Sequence, residues 1–97
     1  MDAINFTWNE QKNEANQKKH GIAFEEARTV FYDINARLIR DDEHSEDEER
    51  FIILGFSEKF RLLLVVHCYL EEEEIIRIIS ARKASRDERR QYEEFLK

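Results

Sequence analysis

Residues 75–84, together with the basic residues that follow them, constrain the fold more than any other part of the chain. Four of the first five residues of this segment are isoleucines, and such a run of β-branched side chains predicts a strand. Arg77 interrupts the run and Arg82 lies near its end, although a guanidinium is rarely fully buried unless it is paired. We therefore expect a sheet with one face on the core and the other towards an anionic partner. The alternative is that these arginines pair with the many carboxylates of the chain.

The N-terminal third is predicted to contain one strand and two helices. Alternating apolar side chains from Ile4 to Trp8 indicate a short first strand. Asn9 can cap a helix that ends before Gly21, which favours the left-handed backbone conformation. This helix is polar nearly all round and is expected to lie on the surface. A second helix over residues 24–32 has an apolar face directed to the core.

The remainder predicts four strands and a final helix. The strands lie at about residues 36–40, 50–57, 60–68 and 75–82, with a tight turn between the middle pair. The pattern Ser85-x-x-Glu88 is typical of a capping box at a helix start. The order β-α-α-β-β-β-β-α in one 97-residue domain, residues 1–97, predicts an α+β fold. We expect an antiparallel meander with the helices mainly on one face.

Alternation along the strands assigns side chains to the two faces of this sheet. Residues 62, 64, 66 and 68 are all apolar and are predicted to face the core, which would leave Arg61 and His67 on the open face. In a regular last strand, Arg77 and Arg82 have opposite parity. One of them must therefore belong to a rim, a bulge or the junction with the final helix.

Composition restricts the compartment and the partners. No 18-residue apolar run and no signal-peptide pattern occur, and Cys68 is the single cysteine, so we expect a cytoplasmic protein without a disulfide or a membrane span. The net charge is −6, but eleven of the 22 acidic residues lie in residues 41–49 and 71–74, which leaves eleven acidic against 16 basic residues elsewhere. Those two segments are either solvated loops or docking surfaces for a basic partner.

The order and spacing of residues across nearly the whole chain resemble the BrnT family of bacterial type II toxins, whose fold is similar to the RelE and ParE toxins. The matching residues are Phe6-x-Trp8, Lys12, Asn16, Lys19-His20-Gly21, Phe24-Glu25-Glu26-Ala27, Phe31, Asp41-Asp42-x-His44-Ser45, Glu49-Arg50, Leu54-Gly55-x-Ser57, Arg61, Val65-Val66-His67, Arg77-Ile78-Ile79-Ser80-Ala81-Arg82 and Tyr92. Where the family has a glycine before its arginine, this chain has Phe60.

This resemblance implies a function and a set of partners. It implies an endoribonuclease that uses no cofactor, stops translation and is neutralised by a cognate antitoxin. That antitoxin would resemble BrnA and would carry the ribbon-helix-helix domain through which the pair binds operator DNA. The alternative function is a RelE-like binding module without catalysis, acting as a co-repressor or partner subunit.

The chemistry of RNA cleavage selects the candidate catalytic residues. Arginine binds phosphate oxygens in a bidentate manner, and we assign Arg61, Arg77 and Arg82 to this role. Histidine can take and give a proton near neutrality, so His67 is the candidate acid/base, with a hydrogen-bonded structural histidine as the alternative. Lys19 is a second proton-transfer candidate because basic residues share this role in RelE-like enzymes.

A second group of residues is predicted to contact RNA outside the chemical step. Trp8 can stack on a base, although a packing role is the more frequent one for tryptophan. Arg86 and Arg89 on the final helix extend the basic track from Arg82, or else pair with neighbouring carboxylates. No metal site is expected, because His44 among acidic residues lacks ligand spacing. The antitoxin is expected to cover the open face and the final helix.

Overall fold

A computed structural model describes residues 4–41, 43, 48–72 and 74–96 of the chain. Its elements follow the predicted order, except that the second helix is divided into an α-helical and a 3₁₀ part. They are β1 (Asn5–Thr7), α1 (Glu10–His20), α2 (Phe24–Ala27), a 3₁₀ helix (Arg28–Tyr32), β2 (Arg37–Asp41), β3 (Arg50–Phe56), β4 (Leu62–Leu70), β5 (Ile75–Lys83) and α3 (Arg86–Phe95). None of the helices in these ranges has the length and apolar character needed to cross a membrane.

The strands form one five-stranded sheet in the order β1-β5-β4-β3-β2. Strands β2 to β5 make the predicted antiparallel meander. Strand β1 pairs with β5 in parallel, with Asn5 opposite Ile75. The prediction of an entirely antiparallel sheet is wrong at this edge, because β1 joins β5 from outside the meander and runs in the same direction.

Helices pack on both faces of the sheet, and on the α3 face they cover only a part of it. On one face α1, α2 and the 3₁₀ helix enclose a core that includes Phe24, Leu63 and Val65, each with no exposed surface. On the other face α3 contributes Tyr92, which packs in a second cluster with Leu62 and its neighbours. The predicted assignment of faces in β4 is therefore wrong: the row with Leu63 and Val65 lies in the main core. Residues 62–66 are apolar in both rows, as in strands buried on both faces, so the alternation of side chains could not identify the core face.

Helix α1 packs on the sheet through amide side chains. It is polar nearly all round as predicted, and its buried residues are Asn13 and Asn16. The Asn16 amide donates to the carbonyls of Ile22 and Ala81, each at 2.8 Å, and accepts from the Ala81 amide at 3.1 Å. Asn13 accepts from the Phe24 amide at 2.8 Å. These hydrogen bonds replace the apolar stripe that usually attaches a surface helix.

The helix boundaries agree with the capping signals in the sequence. Asn9 accepts a hydrogen bond from the Lys12 amide at 3.0 Å, and Gly21 ends α1 with φ 72°. Ala23 precedes α2 without a side-chain cap. Ser85 and Glu88 form the complete capping box of α3. Local hydrogen bonding therefore fixes these ends.

The turn between β3 and β4 contains a residue in the left-handed backbone conformation that is not a glycine. Phe60 has φ 59° and its side chain is exposed. Its amide donates to the Ser57 carbonyl, and the Ser57 amide donates to the Arg61 carbonyl, each at 2.9 Å. The turn thus keeps a conformation that glycine would adopt at lower cost.

Candidate nucleic-acid interface

A bulge in β5 determines which side chains share a face. His67 is opposite Ile78 and Val66 is opposite Ser80, so Ile79 is an additional residue on β5. Beyond the bulge the parity of the strand changes, as expected for one inserted residue. Arg77 lies opposite Cys68 and Arg82 opposite Leu64, on the face that α3 covers in part. Of the three predicted alternatives the bulge is therefore the one present, and it brings Arg77 and Arg82 to the same face.

The part of this face outside the α3 contact forms a groove of about 330 Å³. Its apolar lining comes from Ile52, Leu64, Val66 and Ile79, and its basic side chains are Arg50 and Arg82, with Ser80, Asp41 and Glu43 as further polar lining. An aliphatic surface beside guanidinium groups suits a nucleotide, because the base can lie on the apolar side chains while phosphate oxygens meet the arginines.

On this face the guanidinium groups of Arg82 and Arg77 form ion pairs with carboxylates. Arg82 donates to both oxygens of Glu88 at 2.8 and 2.9 Å, and this pairing lowers the pKa of Glu88 to about 2. Arg77 donates to both oxygens of Glu48 at 2.6 and 2.8 Å. The interpretation that these arginines pair with carboxylates is confirmed for both residues. A carboxylate and a phosphate accept the same bidentate geometry from a guanidinium group.

Arg61 lies apart from this groove, beside α2. Its guanidinium donates to both oxygens of Glu26, with Nε to Oε2 at 2.9 Å, and the Ser57 hydroxyl donates to Glu26 at 2.7 Å. Glu26 is only 3% exposed, and the hydrogen bonds from Arg61 hold its pKa below the ordinary value despite burial. The pair joins the β3–β4 turn to the helical layer.

His67 is buried in the main core, and its predicted place on the open face is wrong. The imidazole has no exposed surface and lies against the rings of Phe31, Phe51 and Tyr69, with centroids 4.7, 6.2 and 5.3 Å away. Its Nδ1 lies 3.2 Å from the Val65 carbonyl oxygen. Desolvation lowers the pKa of His67 to about 4, so the ring is neutral at neutral pH.

The remaining candidates are distributed over both sides of the molecule. Lys19 is exposed in the last basic turn of α1, on the helical side. Trp8 is half-buried, packs edge-on against Phe24 at 6.1 Å and donates from Nε1 to Glu10 at 3.2 Å. Arg86 and Arg89 are exposed on α3. The structure therefore brings Arg77 and Arg82 to one face of the sheet, while Arg61, His67, Lys19 and Trp8 belong to the other.

Arg50 is a groove residue that sequence reasoning did not select as a site residue. It lies opposite Asp41 in the β2–β3 pairing, and its Nε is 3.7 Å from Glu48. The signal was available in the alternation of Arg50, Ile52 and Leu54, which puts the arginine in the row that meets Leu64 and Val66. The sequence did not indicate whether that row of β3 faced solvent.

A larger groove of about 620 Å³ beside the β3–β4 turn is lined by Tyr32, Phe56 and Phe60 and has Arg28 as its basic side chain, so it has less positive charge to offer a polyanion. Within the described ranges, no group of three His, Cys, Asp or Glu residues is placed to hold a metal ion. His44 lies outside the described residues.

Comparison with known proteins gives a consistent result. A family model described as the ribonuclease toxin BrnT of type II toxin–antitoxin systems matches residues 8–88. The crystal structure of the Brucella abortus ribonuclease toxin BrnT superimposes with a TM-score of 0.67 at 22% identity, covering 87% of this chain and 100% of that one. This second similarity is one of fold. A search of curated proteins gave no match.

Proposed function

Because the chain belongs to the BrnT family of ribonuclease toxins of type II toxin–antitoxin systems, we propose that it cleaves RNA internally without a metal ion, inhibits translation and is neutralised by a BrnA-like antitoxin. The antitoxin would supply the operator-binding domain. The acidic composition of this chain, with a net charge of −6, agrees with such a division of roles.

The observation that carries this proposal is the shared face of Arg77 and Arg82. A regular strand would separate them, whereas the bulge at Ile79 puts both on one face, where Arg82 lines the groove together with Arg50. In the proposed complex, RNA phosphates replace Glu88 and Glu48 as the bidentate acceptors. The ribose 2′-oxygen attacks the phosphorus and the bond to the 5′-oxygen breaks, while the 2′-hydroxyl loses its proton to water and the departing 5′-oxygen gains one from water. Preorganised guanidinium groups stabilise the negative charge that develops on the phosphorane.

The state of His67 shapes the proposed mechanism. A neutral imidazole without exposed surface cannot reach a ribose in the folded chain. We therefore place phosphate binding and charge stabilisation by the arginines at the centre of the mechanism. Arg61 has a supporting role, because its guanidinium is held by the buried carboxylate of Glu26.

The test is cleavage of RNA by the purified chain, with and without a chelator, together with three variants. Arg82→Ala removes the clamp, and loss of one such donor costs about 3 kcal/mol or about a hundredfold in rate. Arg82→Lys keeps the positive charge but loses the planar guanidinium that binds two oxygens at once. Its cleavage rate should therefore lie between those of the wild type and Arg82→Ala. Arg90→Ala removes an exposed arginine of α3 and is the matched control, expected to cleave as the wild type does.

Circular dichroism must show that each variant is folded before rates are compared. A folded Arg82→Ala chain that cleaves RNA at the wild-type rate would reject the site. A wild-type chain that binds its antitoxin but never cleaves RNA would favour the non-catalytic binding module. Cleavage that stops in chelator would reject metal independence.

A further inference from the structure

The groove of about 620 Å³ beside the β3–β4 turn presents aromatic rings to solvent. The rings of this aromatic groove belong to Tyr32, Phe56 and Phe60. Phe60 is 87% exposed and Tyr32 is 59% exposed, and neither ring belongs to the two hydrophobic clusters of the described residues. Apolar side chains that occur singly on a surface are ordinary, whereas several in one concave site mark a binding surface.

The backbone of Phe60 adds an independent observation. Phe60 has φ 59°, in the left-handed region that an aromatic residue rarely adopts. This conformation costs free energy, and packing does not offset the cost because the side chain is exposed. Residues held in such conformations cluster at active sites and ligand-binding sites. Contact with a ligand would account for a phenylalanine at this position.

Polar groups within the aromatic groove are already hydrogen-bonded inside the protein. The Thr29 hydroxyl donates to the Glu26 carbonyl at 2.6 Å and accepts from the Glu58 amide at 2.9 Å. The Asp33 carboxylate accepts three hydrogen bonds, including one from the Tyr92 hydroxyl at 2.7 Å. A ligand therefore meets mainly aromatic rings here, which suits a flat molecule with apolar faces.

The charged groups around this groove match the other parts of a nucleotide. Arg28 is exposed, and its guanidinium forms no ion pair or hydrogen bond within the part of the chain that the structure describes. The guanidinium of Arg89 on α3 lies 5.8 Å from the centroid of the Phe56 ring. Both arginines can bind phosphate oxygens. The exposed carboxylate of Glu58 can accept hydrogen bonds from the N–H groups of a base.

The aromatic groove is connected through β3 to the groove of about 330 Å³ that holds the phosphate-binding arginines of the proposed function. Ile52 lines that groove and Phe56 lines the aromatic one, and the two side chains belong to the same row of β3. Four residues of strand separate them by about 13 Å. Leu54, between them in the row, is covered by α3. A single strand of RNA can therefore pass from one groove to the other over α3, where Arg86 and Arg89 are exposed.

We propose that the aromatic groove binds an unpaired base of the RNA strand that is cleaved in the other groove. The identity of the ligand as RNA rests on the proposed function. Stacking on aromatic side chains tolerates any sequence, because every base has a π-face. A base inside a duplex is covered by its neighbours and offers no such face. The groove therefore selects single-stranded RNA as the substrate class.

The test measures binding of a single-stranded 2′-O-methyl RNA of about twelve nucleotides, a length within the usual range of single-strand sites. Attack by the 2′-oxygen is blocked in this RNA, so binding is measured without cleavage. Phe60→Leu keeps an apolar side chain but removes the ring, and it should weaken binding at least about fivefold, as should Tyr32→Ala. Phe60→Tyr keeps a ring and should bind as the wild type does. Phe95→Ala is the matched control, because it removes an exposed ring that does not line the groove.

A second probe separates contacts to the base from contacts to the phosphates. An abasic ribose–phosphate oligomer of the same length carries the same charge but has no bases. Phe60→Leu should bind this oligomer with the affinity of the wild type, because the lost ring contacts bases alone. An equal loss of affinity for both probes would overturn the proposal. Circular dichroism of each variant establishes that it is folded.

The outcomes separate this inference from the proposed function. Wild-type affinity of folded Phe60→Leu and Tyr32→Ala for the 2′-O-methyl RNA would overturn the base site, and so would an equal loss in Phe95→Ala. Variants that keep RNA affinity but lose the antitoxin would assign the groove to a protein partner and overturn it too. If the wild-type chain binds this RNA through Phe60 but does not cleave unmodified RNA, the ribonuclease proposal falls and the base site stands.

Discussion

Replacing His67 with glutamine should remove a large part of the acid sensitivity of the fold. The folded chain holds this imidazole neutral with a pKa of about 4, against an ordinary value of 6.5. Between these values the unfolded chain binds a proton that the folded chain does not, so stability is complete above pH 6.5 and falls as the pH is lowered towards 4. The difference of about 2.5 pKa units corresponds to about 3 kcal/mol.

The measurement is the free energy of unfolding in urea from pH 7.5 to pH 4.5. Over this range the wild type should lose about 2 to 3 kcal/mol more than His67→Gln, which cannot titrate. Glu26 and Asp33 also have lowered pKa values and destabilise the fold on acidification, so the difference between the two chains isolates the imidazole. His20→Gln, which removes a partly exposed imidazole at the end of α1, is the control.

Parallel loss of stability in the wild type and His67→Gln would refute the burial of a neutral imidazole. The same variant also tests the catalytic prediction for this residue. If RNA cleavage by His67→Gln keeps its pH dependence near neutrality, the imidazole has a packing role. A flattened profile would show that the ring takes part in proton transfer after the chain opens.

Two further predictions concern the residues that fix the turn and the last helix. Arg61→Ala should lower the free energy of unfolding by about 3 kcal/mol in urea titrations, because it leaves the buried Glu26 carboxylate without its cation; a loss below 1 kcal/mol would contradict this. Tyr92→Phe removes the hydrogen bond that the buried hydroxyl donates to Asp33 at 2.7 Å and should cost about 1 kcal/mol. Unchanged thermal unfolding of Tyr92→Phe would show that this bond does not hold α3.

Local features of the fold could be predicted because their causes are local. The ends of α1 follow from Asn9 and Gly21, and the start of α3 follows from the reciprocal bonds of Ser85 and Glu88. These interactions span three or four residues and depend little on the rest of the chain. The junction between β5 and α3 could be predicted because the capping box is also a local interaction.

The assignment of faces failed because it depends on distant parts of the chain. Both rows of β4 are apolar, so the row of His67 gave no sign that α2 and the 3₁₀ helix would cover it. The attachment of α1 was also unreadable, because Asn16 is polar and an amphipathic pattern cannot reveal burial by hydrogen bonding. The parity of Arg77 and Arg82 predicted a rim, a bulge or the helix junction for one of them, and the choice of a bulge at Ile79 follows from the pairing with β4.

The parallel pairing of β1 with β5 has a consequence for synthesis of the chain. Asn5 and Ile75 are partners separated by 70 positions, and Asn16 bonds to Ala81 across 65. At about 5 to 20 residues per second, the N-terminal strand emerges roughly 4 to 14 seconds before its partner is made. The strand that carries Arg77 and Arg82 is also the one that closes the sheet. A nascent chain therefore completes its groove and its sheet in one step, once β5 has been made.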